Sequence, residues 1–367
     1  MKRLWLSGLV ACSLFSIAAL VAGCSSDDED LGLGGGSSTT TTSGPGTGGS
    51  NTGGGGNTGG GGPGGGSNTG GGGGGNATVD DPDMDGPYDT AEVTDSFMSS
   101  TGNTVPVRAV YPTGGPSAGP YPVVVVAHGF QIAASQYDSY VDRLASHGYV
   151  AINADYPAGF TGVNHREVAE DLVSALDWAA QDPELAGVAD VMNAGMTGHS
   201  LGGKAAVLAS TLDTRVRASI TLDPVDTAGM GCSAADCPDV TSNMPTGIPT
   251  AFLGETLDAT GTFQACAPAA DNYQTFYTAA DPPSLEVTVN GANHMSFLDD
   301  VATCGIVCNF CNAATLENDV VNALARSYVV AFYQRHLKGN AGYDTYLTGA
   351  MAQERYVNTN LVTIQSK

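Results

Sequence analysis

Five consecutive residues constrain this chain more than any others: Gly198-His199-Ser200-Leu201-Gly202, set between an apolar run ending near Met196 and an alanine-rich run starting at Lys204. A Gly-x-Ser-x-Gly segment between a strand-like and a helix-like run reads as a sharp strand-to-helix turn that presents its serine. The glycines are needed physically. With no Cβ at Gly198 and Gly202, strand and helix can approach closely, and the turn can hold its serine in an unfavourable backbone conformation. The bare pattern recurs by chance, and a small-residue turn packing a helix on a sheet is the bland reading. The surrounding sequence decides between the two.

Tyr121-Pro122-Val123-Val124-Val125-Val126-Ala127 is a continuous β-branched run of the kind expected for a strand buried on both faces. Val150 to Ala154, Ser219 to Leu222, Pro249 to Leu253 and Leu285 to Val289 read the same way. Helical patterns lie between them: Tyr137 to His147, the face made by Val168, Leu172, Leu176 and Ala179, Lys204 to Leu212, Tyr273 to Ala279, and Leu316 to Leu337. Strands alternating with helices predict an α/β domain with a mainly parallel central sheet and helices on both faces. Arg108 to Tyr111 is expected to form an antiparallel edge. In such sheets, sites gather at the carboxyl ends of the strands, where His128-Gly129, Asp155-Tyr156, Ser200, Asp223, Glu255 to Asp258 and His294 all fall.

A serine hydroxyl is a poor nucleophile until a base takes its proton, and the base needs a third group to fix its tautomer and stabilise its charge. His294, in Asn293-His294-Met295-Ser296, follows the last expected strand and precedes the last long helix, which makes it the candidate base. Two aspartates compete for the third place. Asp223, in Leu222-Asp223-Pro224-Val225, ends the strand after the Ser200 helix. Asp258 follows the next strand, in a segment containing Gly261. Asp223 is preferred because Pro224 restricts its direction; Asp258 stays open. The main-chain N–H groups of Leu201 and of Phe130, in His128-Gly129-Phe130-Gln131, are the candidate oxyanion donors. Phe130, Tyr156 and Met295 are candidate contacts for substrate. The chemistry asks for no cofactor and no metal.

His128-Gly129-Phe130, Ser146-His147-Gly148-Tyr149, Gly198 to Lys204, Leu222 to Val225, Cys266-Ala267-Pro268, the Asn272 to Tyr277 segment and His294 to Asp300 together resemble the chlorophyllase family. More distantly, the chain is similar to bacterial cutinase-like polyester hydrolases. The resemblance implies an α/β-hydrolase fold and hydrolysis of a carboxylic ester, whether a small molecule or a polyester. In the chlorophyllase pattern the aspartate of Asp-Pro-Val is the triad acid, which favours Asp223; the cutinase-like pattern puts it after the next strand, near Asp258. Plant chlorophyllases typically have arginine where Leu201 stands and lack a lipoprotein leader. Two other readings use the same residues: a non-catalytic surface binding module on a hydrolase scaffold, and an amidase or peptidase with the same three side chains.

Lys2 and Arg3 precede an apolar run from Leu4 to Ala22 that meets Gly23-Cys24. This reads as a secretory signal over 1–23 rather than a membrane span. Val21-Ala22-Gly23-Cys24 resembles the bacterial lipobox, which implies lipidation of Cys24. Residues 24–79 are then a Gly/Ser/Thr-rich tether with almost nothing to bury, and 80–367 a single catalytic domain. The expected location is the bacterial cell envelope, with a monomer anchored in the membrane by lipid. The formal charge of −24 argues against a nucleic-acid partner. Beyond Cys12 and Cys24, an even set remains in an exported domain: Cys232, Cys237, Cys266, Cys304, Cys308 and Cys311. Disulfides are expected, with connectivity open except that Cys232 and Cys237 could close a small loop. Asp81-x-Asp83-x-Asp85-Gly86 with Glu92 has the spacing of a calcium loop, but emerges from the tether without flanking helices and is read as an acidic linker.

Overall fold

The computed structural model describes residues 79–159, 162–228, 232–261 and 265–367. The expected signal over 1–23, the lipidation site Cys24 and the tether up to residue 78 lie outside the described residues.

Among the described residues, nine strands form one sheet. In chain order they are β1 (Asp89–Met98), β2 (Thr104–Gly114), β3 (Tyr121–Ala127), β4 (Val150–Ala154), β5 (Ala189–His199), β6 (Val216–Leu222), β7 (Thr250–Glu255), β8 (Ser284–Val289) and β9 (Val362–Ser366). They lie side by side as β1-β2-β4-β3-β5-β6-β7-β8-β9. The six from β4 to β8 are mutually parallel, while β2 runs antiparallel to both its neighbours and β9 antiparallel to β8. This is the α/β-hydrolase fold. Arg108 to Tyr111 lies in antiparallel β2, but β2 is not the edge. β1 covers it, a strand whose outward positions are largely polar and exposed, so its sequence carries little of the apolar signal that marks β3.

Among the described residues, five helices of seven residues or more cover the sheet: α1 (Asp138–Ser146), α2 (His165–Ala179), α3 (Leu201–Leu212), α4 (Tyr273–Ala279) and α5 (Asn318–His336). Side chains alternate across a strand, so β3 feeds two cores. Val124 and Val126 pack with α1 and α5 through Tyr140, Leu144, Tyr328 and Phe332. Val123 and Val125 pack with α2 and α3 through Leu172, Leu176 and Val207. The continuous valine run follows from that double burial. Helix α2 starts where Asn164 accepts the N–H groups of Arg166 and Glu167, satisfying donors that a helix start leaves open.

The six cysteines pair as Cys232–Cys237, Cys266–Cys311 and Cys304–Cys308. The second bridge joins the segment after β7 to the segment after β8. Acidic residues from Asp81 to Glu92 are answered by arginines. Asp81 and Asp83 bind the Arg355 guanidinium, Asp85 faces Arg143 and Glu92 faces Arg108.

Candidate active site

β5 runs straight into α3, and Ser200 is the residue between them. Its backbone sits at φ 56°, ψ −120°, a region that non-glycine residues enter only when the surroundings enforce it. The glycines supply that enforcement. A Cβ on Gly198 would overlap the carbonyl of Gly202, and one on Gly202 would overlap the carbonyls of Ala127 and His128. The turn is fixed across the sheet as well, because the Ser200 N–H donates to the Leu222 carbonyl at 3.1 Å. Its side chain is left half-buried at the carboxyl edge.

A 3₁₀ turn over His294–Phe297 follows β8 and brings the His294 imidazole to Ser200. Ser200 Oγ lies 2.9 Å from His294 Nε2, and His294 Nδ1 lies 2.6 Å from Asp223 Oδ2. A ring that donates from Nδ1 to a carboxylate leaves Nε2 as the acceptor for the serine proton. Asp223 is fully buried, and its backbone is also strained, at φ 42°. Burial pushes its carboxyl above the usual range, against the pull of the His294 ring.

Asp258, the alternative acid, goes elsewhere. Its Oδ2 accepts the main-chain N–H of His294 at 2.8 Å and its Oδ1 accepts that of Asn312 at 2.7 Å. Both oxygens are therefore occupied by backbone donors, and the carboxylate holds the turn that carries the imidazole. The ring itself is bonded to Asp223.

Two further groups, not singled out from sequence, brace the site. His199 is fully buried, with its Nδ1 2.7 Å from the Tyr137 hydroxyl and its Nε2 2.8 Å from the His294 carbonyl. Tyr137 also accepts the Gly129 N–H at 3.2 Å. The carbonyl must receive a proton, so Nε2 donates and Nδ1 accepts from Tyr137. Burial and the adjacent His294 hold the His199 pKa well below the usual histidine range, which keeps the ring neutral. A chain of hydrogen bonds thus links the loop after β3 to the main chain of His294. Lys204 is fully buried on α3, with Nζ 2.8 Å from Asp226 Oδ1. Asp226 in turn accepts the N–H groups of Val240 and Thr241, so this pair fixes the segment leaving Asp223. No periodicity marks such contacts.

The candidate substrate contacts separate. Phe130 is 39% exposed on the loop after β3, next to Gly129. Tyr156 and Met295 are only 1% and 6% exposed. The Tyr156 ring stacks on His128 at 4.0 Å between centroids, and its hydroxyl donates to the His128 carbonyl. Met295 packs into the core that α5 covers. Met295 is enclosed there, whereas Tyr156, with His128, Gln131 and Asp155, lines a cavity beside the loop after β3. Asp258, Cys266 and Cys311 place one potential metal-ligand atom each within 4.8 Å of one another, but the two sulfurs are joined to each other.

Strand order, serine turn and the histidine after β8 define an α/β-hydrolase. The chain belongs to the chlorophyllase family, whose profile matches residues 84–364. It is 31% identical to chlorophyllase-1 of Arabidopsis thaliana over 219 residues, covering 55% of this chain and 65% of that protein. It is 28% identical to the bis(hydroxyethyl) terephthalate hydrolase of Streptomyces coelicolor over 217 residues, covering 58% and 62%. Chlorophyllase-2 of Arabidopsis thaliana is 26% identical over 206 residues, covering 50% and 62%. The chain thus spans less than two thirds of the length of each of these relatives.

Proposed function

We propose that this protein is a serine hydrolase of carboxylic esters, working through Ser200, His294 and Asp223 and an acyl-enzyme intermediate. The continuous hydrogen-bond path from the Ser200 hydroxyl through both ring nitrogens of His294 to a buried carboxylate carries the reading. Ser200 Oγ attacks the ester carbonyl carbon as His294 Nε2 takes its proton. Asp223 holds the ring and offsets the charge of the imidazolium. The oxyanion is received by the N–H groups of Leu201, at the start of α3, and of Phe130. His294 then returns the proton to the departing alcohol, and water enters by the same steps to release the acid. No cofactor enters this sequence. Relatives named for chlorophyll and for bis(hydroxyethyl) terephthalate support an ester substrate, either a small molecule or a polyester.

We further propose that the protein acts as a monomer held at the bacterial cell envelope by lipid on Cys24. Among the described residues no helix is long and apolar enough to cross a membrane. The test of the activity is hydrolysis of p-nitrophenyl esters of graded acyl length, and of bis(hydroxyethyl) terephthalate, by the purified protein and by Ser200→Ala. Turnover lost in the variant supports the reading. Equal, negligible rates for both across the panel overturn it and favour a binding module; cleavage of amides alone moves the assignment to a peptidase or amidase.

A further inference from the structure

Three buried carboxyl groups converge behind His294. Asp223, Glu255 and Asp258 are 0%, 3% and 1% exposed. Asp223 takes the ring N–H of His294, and Asp258 takes one main-chain N–H on each of its oxygens. Glu255 ends β7, beside the end of β6, where Leu222 pairs with Leu253 and the Asp223 N–H donates to the Leu253 carbonyl at 2.7 Å. Its Oε2 accepts the N–H groups of Leu257 and Asp258. Its Oε1 has no hydrogen-bond partner among the described residues, and neither has Oδ1 of Asp223. The other titratable groups beside it are Asp258, whose N–H it accepts, and Tyr273 of α4, whose hydroxyl donates to the Glu255 carbonyl. Among the described residues, no lysine or arginine forms a hydrogen bond or ion pair with its carboxyl group.

Several like charges cannot all persist in a buried volume without a cation, and of the three Glu255 alone combines an unpartnered oxygen with no ionisable partner, so it keeps its proton. We propose that Glu255 is held as a neutral carboxylic acid, a positioning residue that leaves Asp223 as the single charge facing the His294 ring. The inference rests on the Ser200–His294–Asp223 reading for its consequence in catalysis, but not for the protonation state itself. Burial first, and then the charge of Asp223, push the Glu255 carboxyl up to about 8. Above that pH its proton passes to solvent, and a second negative charge appears beside Asp223.

The unfolded chain releases this proton near the ordinary value of 4.5, and the folded protein near 8. Between those values the folded state binds the extra proton, so stability falls as pH rises through the window and levels off above it. Glu255→Gln imitates the neutral acid and removes the titration. Denaturant unfolding should show the wild type weakening against Glu255→Gln by up to about tenfold in the unfolding constant per pH unit across the window. Ester turnover by Glu255→Gln should match wild type within about threefold near pH 6 and keep its plateau where the wild type declines, near pH 9. The infrared carbonyl band of a protonated carboxylic acid in the wild type, present near pH 6 and lost with a midpoint near 8, reports the same proton without any variant. Parallel stability profiles, a missing band, or a folded Glu255→Gln that is more than about tenfold slower near pH 6 overturns the proposal. If no ester is cleaved by either protein, the functional reading fails, while the stability and infrared arms still decide the state of Glu255.

Discussion

The carboxylate of Asp258 takes the main-chain N–H of His294 at 2.8 Å, while the ring of the same histidine is bonded to Asp223 at 2.6 Å. One histidine is thus served by two aspartates in different ways, one fixing where the ring stands and the other its tautomer and charge. Asp223→Asn should reduce kcat on the order of 10⁴-fold by supplying the wrong tautomer. Asp258→Asn should reduce it only about 10- to 100-fold, through misplacement of the turn. Steady-state kinetics of the two variants on one p-nitrophenyl ester decides it, and the reverse ranking would return the acid role to Asp258.

Lys204 and Asp226 form a buried ion pair beside the segment that carries Asp223. Removing one partner leaves an uncompensated charge in the interior, so Lys204→Met should cost about 3–5 kcal/mol in denaturant unfolding. Replacing both residues with apolar ones of similar size should recover much of that loss. A single variant as stable as the wild type would show the pair to be solvated.

The three disulfides close very different loops. Cys266–Cys311 spans 45 residues and Cys232–Cys237 spans 5. Loop-closure entropy then assigns about 4 kcal/mol to the first and about 2 kcal/mol to the second. Cys266→Ser with Cys311→Ser should also slow turnover, because Asn312, next to Cys311, bonds to Asp258. Paired unfolding and rate measurements on the two double-serine variants check the order.

The serine turn tolerates no added atom. Gly202→Ala forces a methyl into the carbonyls of Ala127 and His128, and should cost about 3 kcal/mol or more together with most of the activity. Gly187→Ala, where a Cβ meets nothing within 4 Å, should change neither by more than about 0.5 kcal/mol. Thermal unfolding of the two variants side by side is the measurement.

The acidic run at 81–86 is answered by Arg355 and Arg143. Guanidinium hydrogen bonding holds the Asp81 carboxyl below its ordinary range against burial. Its contribution is therefore present above that range and lost as pH falls through the folded-state value. Arg355→Met should remove this acid-side component and about 1 kcal/mol at neutral pH, the pair being partly solvated. Millimolar calcium should leave the wild-type Tm unchanged, and a rise of several degrees would restore the calcium reading.

Much of the fold was legible because buried parallel strands leave an unmistakable trace. The valine run of β3, the short apolar runs of β4 and β8, and helix α4 appear where periodicity and composition put them. β1 and β9 escaped because edge strands are polar on their open face, so composition does not separate them from loops. Spacing brought Asp223, Asp258 and His294 to neighbouring strand ends, but not the choice between ring and main chain, which depends on a 3₁₀ turn a few residues long. Tyr156 and Met295 read as cleft residues because they adjoin strand ends; Met295 turns into the core, while Tyr156 lines a cavity beside the loop after β3. The Tyr137–His199 link and the Lys204–Asp226 pair join residues 62 and 22 positions apart, and no local pattern announces either.

The central claim is that Ser200 is the attacking group. Peptide mapping by mass spectrometry after treatment with a serine-directed phosphonate tests it most directly. A single adduct on Ser200, formed in step with loss of ester hydrolysis and strongly slowed in His294→Ala, is the result expected. Esterase activity that survives full modification of Ser200, or an adduct on another residue that tracks the loss, would contradict it.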